Sequence, residues 1–185
     1  MVSRMGEFCT VYEAGGGLPV RLEVADMEHP PGHRYRHHRL VVADGRPGVA
    51  IAAERDGSLL MVRSLRASTG EELWELPRGS SEVGDARGGD AYGDDALIRA
   101  ALRELREETG YTGVAPRVIG RYYVDSTVFP QRFAIVRCAV DAGEPSADTD
   151  GEVEEARWFE LAELRRLAGA GEIRDAHTLV ALGLL

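Results

Sequence analysis

The middle of the chain contains an apolar hairpin pattern. Residues 49–53 and 59–62 are two uninterrupted apolar runs, and the pair Asp56-Gly57 lies between them. An Asp-Gly pair between two such runs is typical of a tight turn that joins antiparallel strands. The absence of polar residues from both runs is typical of core strands. The pattern therefore predicts a β-hairpin in the hydrophobic core of the protein.

The periodicity changes to that of a helix further along the chain. Residues 95–109 carry an apolar residue every three or four positions, which predicts an amphipathic helix. Asp94 or Asp95 is a suitable N-cap, and Gly110 is a suitable C-terminal stop. The apolar stripe of this helix consists of Ile98, Ala101, Leu102 and Leu105.

Shorter patterns flank these two elements. Residues 21–24 and 39–42 alternate like antiparallel strands on either side of a Pro-Pro-Gly turn at 30–32. Residues 79–94 are rich in glycine, serine and aspartate, which predicts a loop. The other predicted elements are strands over 74–76, 118–125, 133–140 and 153–159 and helices over 160–167 and 175–184.

Strands interleaved with helices predict a layered α/β/α domain. The chain has 185 residues, close to the length of one domain. Within it we distinguish residues 1–45, a small antiparallel strand segment, from residues 46–185, the main domain. The strand segment would be marginally stable alone, so we expect it to pack on another surface.

Composition excludes several classes of function. A formal net charge of −9 argues against nucleic acid or anionic lipid as a partner, since phosphate backbones attract cationic surfaces. No run approaches the roughly 18 apolar residues of a membrane helix, and residues 1–8 lead into no apolar signal segment. We therefore expect a cytoplasmic protein, with Cys9 and Cys138 as unpaired thiols. The 22 basic residues are all arginine, which excludes a catalytic lysine.

Three glutamates share one face of the predicted helix. Glu104, Glu107 and Glu108 are spaced at i, i+3 and i+4, so their charges repel each other near the helix C-terminus, where acids are already disfavoured. A bound divalent cation would offset both effects, and hard oxygen ligands suit Mg²⁺ or Mn²⁺. The alternative is a solvated acidic face on which the positive charge of Arg103 reduces the repulsion between the glutamates.

The sequence around these glutamates resembles a known family. Residues 103–111, Arg-Glu-Leu-Arg-Glu-Glu-Thr-Gly-Tyr, together with residues 74–79, Trp-Glu-Leu-Pro-Arg-Gly, resemble the signature of Nudix hydrolases. Residues 47–50, 60–66 and 171–179 are similar to the corresponding parts of ADP-ribose pyrophosphatases. The resemblance implies a Nudix α/β/α sandwich with a mixed sheet. It also implies that the N-terminal strand segment helps to form a homodimer.

One part of the signature is displaced. The family pattern places a glycine and, six residues later, a glutamate ahead of the arginine, and counting back from Arg103 reaches Asp95 and Gly89. Gly79 and Asp85 also match this spacing between themselves. We infer a ten-residue insertion within 85–94, with Asp95 and Asp85 as alternative matches for the glutamate.

The resemblance implies that a metal-activated water attacks a phosphorus of a nucleoside diphosphate that is linked to another group. Glu104 and Glu108 match the principal metal ligands, and Glu107 would be a third or water-mediated ligand that shares in catalysis. The carbonyl of Arg78 is a further candidate ligand. Glu152 lies where ADP-ribose pyrophosphatases carry the general base.

Several assignments stay open at this point. Glu154 and Glu155 are alternatives for the base, and Arg66 and, second to it, Arg63 are candidates for binding the substrate phosphates through their planar guanidinium groups. The expected reaction is Mg²⁺-dependent cleavage of ADP-ribose to AMP and ribose 5-phosphate. An NDP-sugar or a dinucleotide is the alternative substrate, and a nucleotide sensor that binds without cleaving is the alternative function.

Overall fold

The computed structural model describes residues 4–30, 32–86, 90–141, 143, 145–146, 149 and 151–185. By internal contacts the chain divides into two compact units. One unit runs as far as Arg46 and also includes Tyr123–Arg132, and the other comprises Pro47–Tyr122 and Phe133–Leu185.

The first unit contains a four-stranded antiparallel sheet. Its central strand is β3, which β4 borders along one edge, while β1 and β2 follow each other along the other edge. The predicted strands at 21–24 and 39–42 are confirmed as parts of a longer hairpin. The strands of this unit are β1 (Arg4–Met5), β2 (Cys9–Ala14), β3 (Val20–His29) and β4 (His33–Val42).

While a 3-10 turn, Ala43–Gly45, lies in the first unit, the second unit contains most of the strands and all of the described α-helices. Its strands are β5 (Gly48–Arg55), β6 (Ser58–Arg66), β7 (Glu71–Glu75), β8 (Arg78–Ser80), β9 (Gly113–Asp125), β10 (Phe129–Val140) and β11 (Glu155–Glu160), of which β9 and β10 extend into the first unit. Its helices are α1 (Val83–Ala86), α2 (Asp94–Thr109), α3 (Leu161–Gly169) and α4 (Ala176–Leu184). Within the described stretches, no helix has both the length and the apolar character to cross a bilayer.

The strands of the second unit form a mixed sheet. Its main path runs in the order β11-β6-β5-β10-β9, with β7 paired to β6 and β8 paired to β5. Strands β5 and β10 are parallel, whereas β5 and β6 form the predicted antiparallel hairpin around Asp56 and Gly57. Both turn residues have positive φ angles, as a tight two-residue hairpin turn requires.

Helices cover both faces of this sheet. On one face, Ile51 and Val136 pack against Leu97 and Leu105 of α2. On the other face, alternate residues of the same strands pack against Leu164 of α3 and against Ala181 and Leu182 of α4. The side chains of a strand point alternately to its two faces, so strands between two helical layers are apolar throughout. The predicted α/β/α sandwich with a mixed sheet is confirmed.

The segment before α2 differs from its prediction. The sequence predicts a loop over residues 79–94, whereas the structure has the end of β8 and the short helix α1 within this range. The residue at the N-cap of α2 is Gly93, not Asp94 or Asp95, and glycine has no side chain with which to cap this helix end. Gly110 ends the helix in the left-handed conformation, as predicted. Residues 87–89, including the Gly89 of the displaced signature, lie outside the described residues.

Candidate functional site

Helix α2 carries two glutamates to the strand segment that contains Arg78 and Gly79. The backbone N–H of Arg78 donates a hydrogen bond to Oε2 of Glu108 at 3.2 Å. The carboxylate of Glu104 lies against Gly79 so closely that a Cβ atom at this position would overlap it. Glycine at residue 79 therefore makes the space that the Glu104 carboxylate occupies.

Both carboxylates are partly removed from water. Burial raises the pKa of Glu104 to about 7 and the pKa of Glu108 to about 8, because burial penalises the charged form of a carboxyl group. Repulsion from Glu104 adds to the shift at Glu108, while the hydrogen bond from Arg78 opposes it. The negative charge of both groups is thus unfavourable in the protein alone, and a cation beside them would stabilise it.

A third carboxylate lies close to this pair and was not assigned from the sequence. Glu75 is fully buried and accepts hydrogen bonds from the guanidinium groups of Arg66 and, at 3.1 Å, Arg78. Its negative charge also contributes to the raised pKa of Glu108, whereas Arg66 lowers it. Two arginines are therefore oriented by one buried carboxylate next to Glu108. The signal in the sequence was a charged residue in a strand, three residues before an arginine.

Arg103 of helix α2 contacts the segment that precedes this helix in the chain. Its guanidinium lies 3.0 Å from Oε1 of Glu104 and 3.4 Å from Oδ2 of Asp85, and it also donates to the carbonyl of Ser80 at 3.0 Å. Asp85 is buried, whereas Asp95 lies exposed in the first turn of α2. Of the two alternatives for the displaced acidic residue, the structure brings Asp85 to Arg103.

Glu107 lies on a more exposed part of the same helix. Its side chain is 47% exposed and accepts a hydrogen bond from Arg103 at 2.8 Å. Its charge contributes to the raised pKa of Glu104, so the two carboxylates interact electrostatically. The three glutamates of the predicted cluster are therefore unequal, because two are largely buried and Glu107 faces solvent.

Arg63 and Arg66 have different surroundings, although they lie only three positions apart on one strand. Arg63 lies among three carboxylates, with Glu72 at 3.0 Å, Glu155 at 3.4 Å and Glu154 at 3.9 Å. Arg66 lies beside Glu75 and acts on Glu108 through its charge. Of the two arginines, the structure brings Arg66 to the buried glutamates.

Glu152, the predicted general base, lies in the exposed segment that leads into β11. It follows Gly151, whose positive φ angle turns the chain at this point. Two residues later, the N–H of Glu154 donates to the carbonyl of Arg63 at 3.0 Å and so attaches the end of this segment to β6. The carboxylates of Glu154 and Glu155, the alternatives for the base, lie near Arg63.

A buried histidine, His177, lies close enough to Arg66 and Arg78 for their charges to act on it. Nδ1 of His177 and the hydroxyl of Tyr122 are in hydrogen-bond contact at 2.5 Å, and the ring of Phe133 packs on the imidazole. Burial, together with the charges of Arg78 and Arg66, lowers the pKa of His177 to about 4, although the charge of Asp175 opposes the shift. The histidine is therefore neutral at pH 7.

Acidification is expected to remove a contribution that His177 makes to stability. Below its ordinary pKa of 6.5 the unfolded chain binds a proton that the folded chain does not bind until about pH 4, so stability present above pH 6.5 is lost as pH falls. Between pH 7 and pH 5 this loss is about 2 kcal/mol for one such group. Urea unfolding at both pH values measures it as the difference between the wild type and His177→Gln, because Glu104 and Glu108, whose pKa values are raised, add stability over the same range in both proteins. The same change with pH in the two proteins would contradict the assignment.

The two buried carboxylates fit a magnesium ion in their chemistry. As the side chains lie, no three His, Cys, Asp or Glu residues in the described part of the chain converge closely enough to hold a metal ion. Mg²⁺, however, is commonly held by one or two carboxylates, while water and substrate phosphates supply its other oxygen ligands. Glu104 and Glu108 provide such a pair, and their raised pKa values mark a site where added positive charge is favourable.

Comparison with known proteins identifies the family. A family model described as the NUDIX domain matches residues 45–181, which is most of the chain. The chain belongs to the NUDIX domain family. This confirms the prediction from residues 74–79 and 103–111, and the protein is a Nudix hydrolase similar to ADP-ribose pyrophosphatases.

Two curated relatives and one solved structure resemble this Nudix hydrolase. It is 28% identical over 174 residues to an ADP-ribose pyrophosphatase of Bacillus subtilis (strain 168), covering 91% of this chain and 86% of the relative. It is 33% identical over 95 residues to a methanol dehydrogenase activator of Bacillus methanolicus, covering 51% and 45% of the two chains. A crystal structure of an ADP compounds hydrolase matches with a TM-score of 0.75 at 21% identity, covering 100% of this chain and 92% of that one. This last likeness concerns the fold.

Proposed function

We propose that the protein hydrolyses ADP-ribose to AMP and ribose 5-phosphate with the help of Mg²⁺ or Mn²⁺. The observation that carries the proposal is the pair of largely buried carboxylates, Glu104 and Glu108, next to Gly79 and the N–H of Arg78. The likeness to the ADP-ribose pyrophosphatase of Bacillus subtilis supports this choice of substrate.

In this proposal Glu104 and Glu108 hold the metal directly, and the carbonyl of Arg78 is a candidate backbone ligand. Glu107, which is exposed, acts as a third ligand through water. When bound, the metal supplies positive charge to the diphosphate and lowers the pKa of a coordinated water. Arg103 keeps Glu104 oriented by its contact of 3.0 Å.

In this proposal Glu152 and Arg66 carry out the remaining chemistry. Glu152 accepts the proton of the attacking water, whose oxygen bonds to one phosphorus while the bridging P–O bond breaks. Arg66 binds the diphosphate with the guanidinium nitrogens that Glu75 leaves free, since a planar guanidinium pairs well with phosphate oxygens. Arg63 contributes less to this binding, because three carboxylates already surround it.

Arg66→Lys is expected to raise KM for ADP-ribose by about tenfold, the effect of losing one charge-assisted hydrogen bond to phosphate. Lysine keeps a cation beside the buried Glu75, so the fold should be retained. The matched control is Arg63→Lys on the same strand, for which KM should change less than about twofold. A larger effect at Arg63 than at Arg66, measured by steady-state kinetics, would reverse the assignment.

We also propose that the strand segment, residues 1–45, joins two copies of the chain into a homodimer. The described part of this segment exposes six large apolar side chains at 40–65% of their surface, five of them on its strands, and exposed apolar groups support a contact with another protein. These are Met5, Val11, Tyr12, Leu18, Tyr35 and Leu40.

Tyr12→Glu should weaken this dimer by about 30-fold or more, the effect of a hot-spot residue worth about 2 kcal/mol. Sedimentation velocity at a series of concentrations measures the dissociation constant. Leu65→Glu, at a similarly exposed apolar position of the second unit, is the control and should leave the dimer unchanged. A wild-type protein that sediments as a monomer at all concentrations would refute the proposal.

Release of AMP from ADP-ribose by the purified protein tests the proposed function. AMP that forms with Mg²⁺ and does not form with a chelator supports both the reaction and the metal. If ADP-ribose is stable under both conditions, the substrate assignment is wrong, and NDP-sugars and dinucleotides should be compared under the same conditions. Binding of these nucleotides without turnover of any would instead indicate a sensor.

A further inference from the structure

Thr178 joins helix α4 to the strand segment of the candidate site. It is fully buried, and its hydroxyl accepts a hydrogen bond from the N–H of Leu76 at 3.0 Å. The same hydroxyl donates to Oδ2 of Asp175 at 2.8 Å, and this oxygen also accepts the N–H of Thr178 at 2.8 Å. Asp175 is the N-cap of α4. One hydroxyl thus attaches a helix cap to a backbone N–H that is 102 residues away in the chain.

The segment attached in this way ends at Glu108. Residues 76–78 follow β7, and Pro77, which lacks an N–H, accepts a hydrogen bond from Ile51 through its carbonyl at 2.9 Å. The N–H of Arg78 then donates to Glu108 at 3.2 Å. The two backbone donors of this segment are therefore held by Thr178 at one end and oriented toward Glu108 at the other.

The side chain of Arg78 is held from the same helix cap. Oδ1 of Asp175 lies 3.9 Å from Nε of Arg78, and this Nε donates to the buried Glu75 at 3.1 Å. Capping of α4 requires a side-chain acceptor for the N–H of Thr178, which Asp175 already provides. The hydrogen bond from the N–H of Leu76 to the Thr178 hydroxyl is not needed to cap α4. It constrains the backbone of residues 76–78 instead.

We propose that Thr178 is a positioning residue for the metal-binding carboxylates. Its hydroxyl fixes the backbone at Leu76, and this keeps the N–H of Arg78 directed at Glu108. The inference rests on the proposed function, because it assumes that Glu108 holds a metal. Without the hydroxyl, the buried N–H of Leu76 has lost its acceptor, so residues 76–78 shift to find another, and Glu108 loses its fixed orientation.

Thr178→Val tests this role, because valine keeps the shape of threonine and removes the hydroxyl. Binding of Mn²⁺ alone, followed by electron paramagnetic resonance of the free ion, should be weakened about tenfold, as when other indirect supports of a metal site are lost. The value of kcat for ADP-ribose should fall by a similar factor, with KM changed less than about twofold. Thr178→Ser restores the hydroxyl and should restore both values to within about twofold of the wild type.

Unchanged Mn²⁺ affinity in a folded Thr178→Val protein would overturn the positioning role. If this variant does not fold, amide hydrogen exchange in the wild type decides, since Mn²⁺ should then slow exchange at Leu76 as well as at Arg78. Slower exchange at Arg78 with no change at Leu76 would overturn the inference. A wild-type protein that neither binds Mn²⁺ nor releases AMP refutes the proposed function itself, which separates the two failures.

Discussion

Glu108→Gln is expected to lower kcat/KM for ADP-ribose by about 10³-fold, which corresponds to about 4 kcal/mol of transition-state stabilisation. The amide of glutamine has nearly the same shape as the carboxyl group but carries no negative charge for a metal. Its oxygen still accepts the hydrogen bond from the N–H of Arg78. The substitution therefore removes the charge at the site and keeps the packing of α2.

Stability separates this effect from misfolding. Burial disfavours the charged form of Glu108, so the neutral amide should leave the thermal unfolding temperature of the metal-free protein unchanged or higher. Glu163→Gln, a partly exposed glutamate in the first turn of α3, is the control and should retain full activity. Activity of Glu108→Gln within tenfold of the wild type would exclude Glu108 as a principal metal ligand.

Gly79→Ala is expected to lower kcat by about 10²-fold, the effect of displacing a reacting group by about 1 Å. A Cβ atom at residue 79 would overlap the carboxylate of Glu104, which is the flexible end of a side chain and can move away. The displacement therefore affects the site more than the stability of the fold. Metal affinity should fall together with kcat.

A matched substitution is available five residues further along. Gly84→Ala adds the same methyl group in α1, where, among the described residues beyond its own turn of helix, no atom lies within 4 Å of the added carbon. This variant should keep its activity and its metal affinity. If Gly79→Ala were as active as Gly84→Ala, then Glu104 would have no required position, and its assignment as a ligand would fail.

Local features of the site could be predicted from the sequence. Glu104 and Glu108 are four residues apart on a helix with a clear apolar stripe, so their common face follows from helix geometry alone. The same argument predicts that Glu107 lies beside them. Helical spacing alone does not show which of the three carboxylates becomes buried. That depends on Arg78 and Gly79, which lie about 25 to 30 residues earlier and reach α2 only in the folded sheet.

Contacts between distant parts of the chain could not be predicted in the same way. The sequence ranks Arg66 ahead of Arg63, but the carboxylates around Arg63 could not be predicted, because strand pairing brings Glu155 to it. The role of Thr178 was hidden for the same reason, since its partner Leu76 belongs to another part of the fold. The missed helix α1 is a single turn, too short for a periodic pattern to indicate it.

The packing of helix α2 restricts how the length of its sequence can vary. Leu105 is fully buried in the core, and Glu108 follows it on the next turn beside Arg78. Deleting or inserting one residue earlier in this helix would rotate both side chains by about 100° relative to the sheet. Such a change would expose the leucine and misdirect the glutamate together. Natural selection for a packed core therefore also preserves the position of the glutamate. Insertions and deletions should accumulate before α2 and be rare within it.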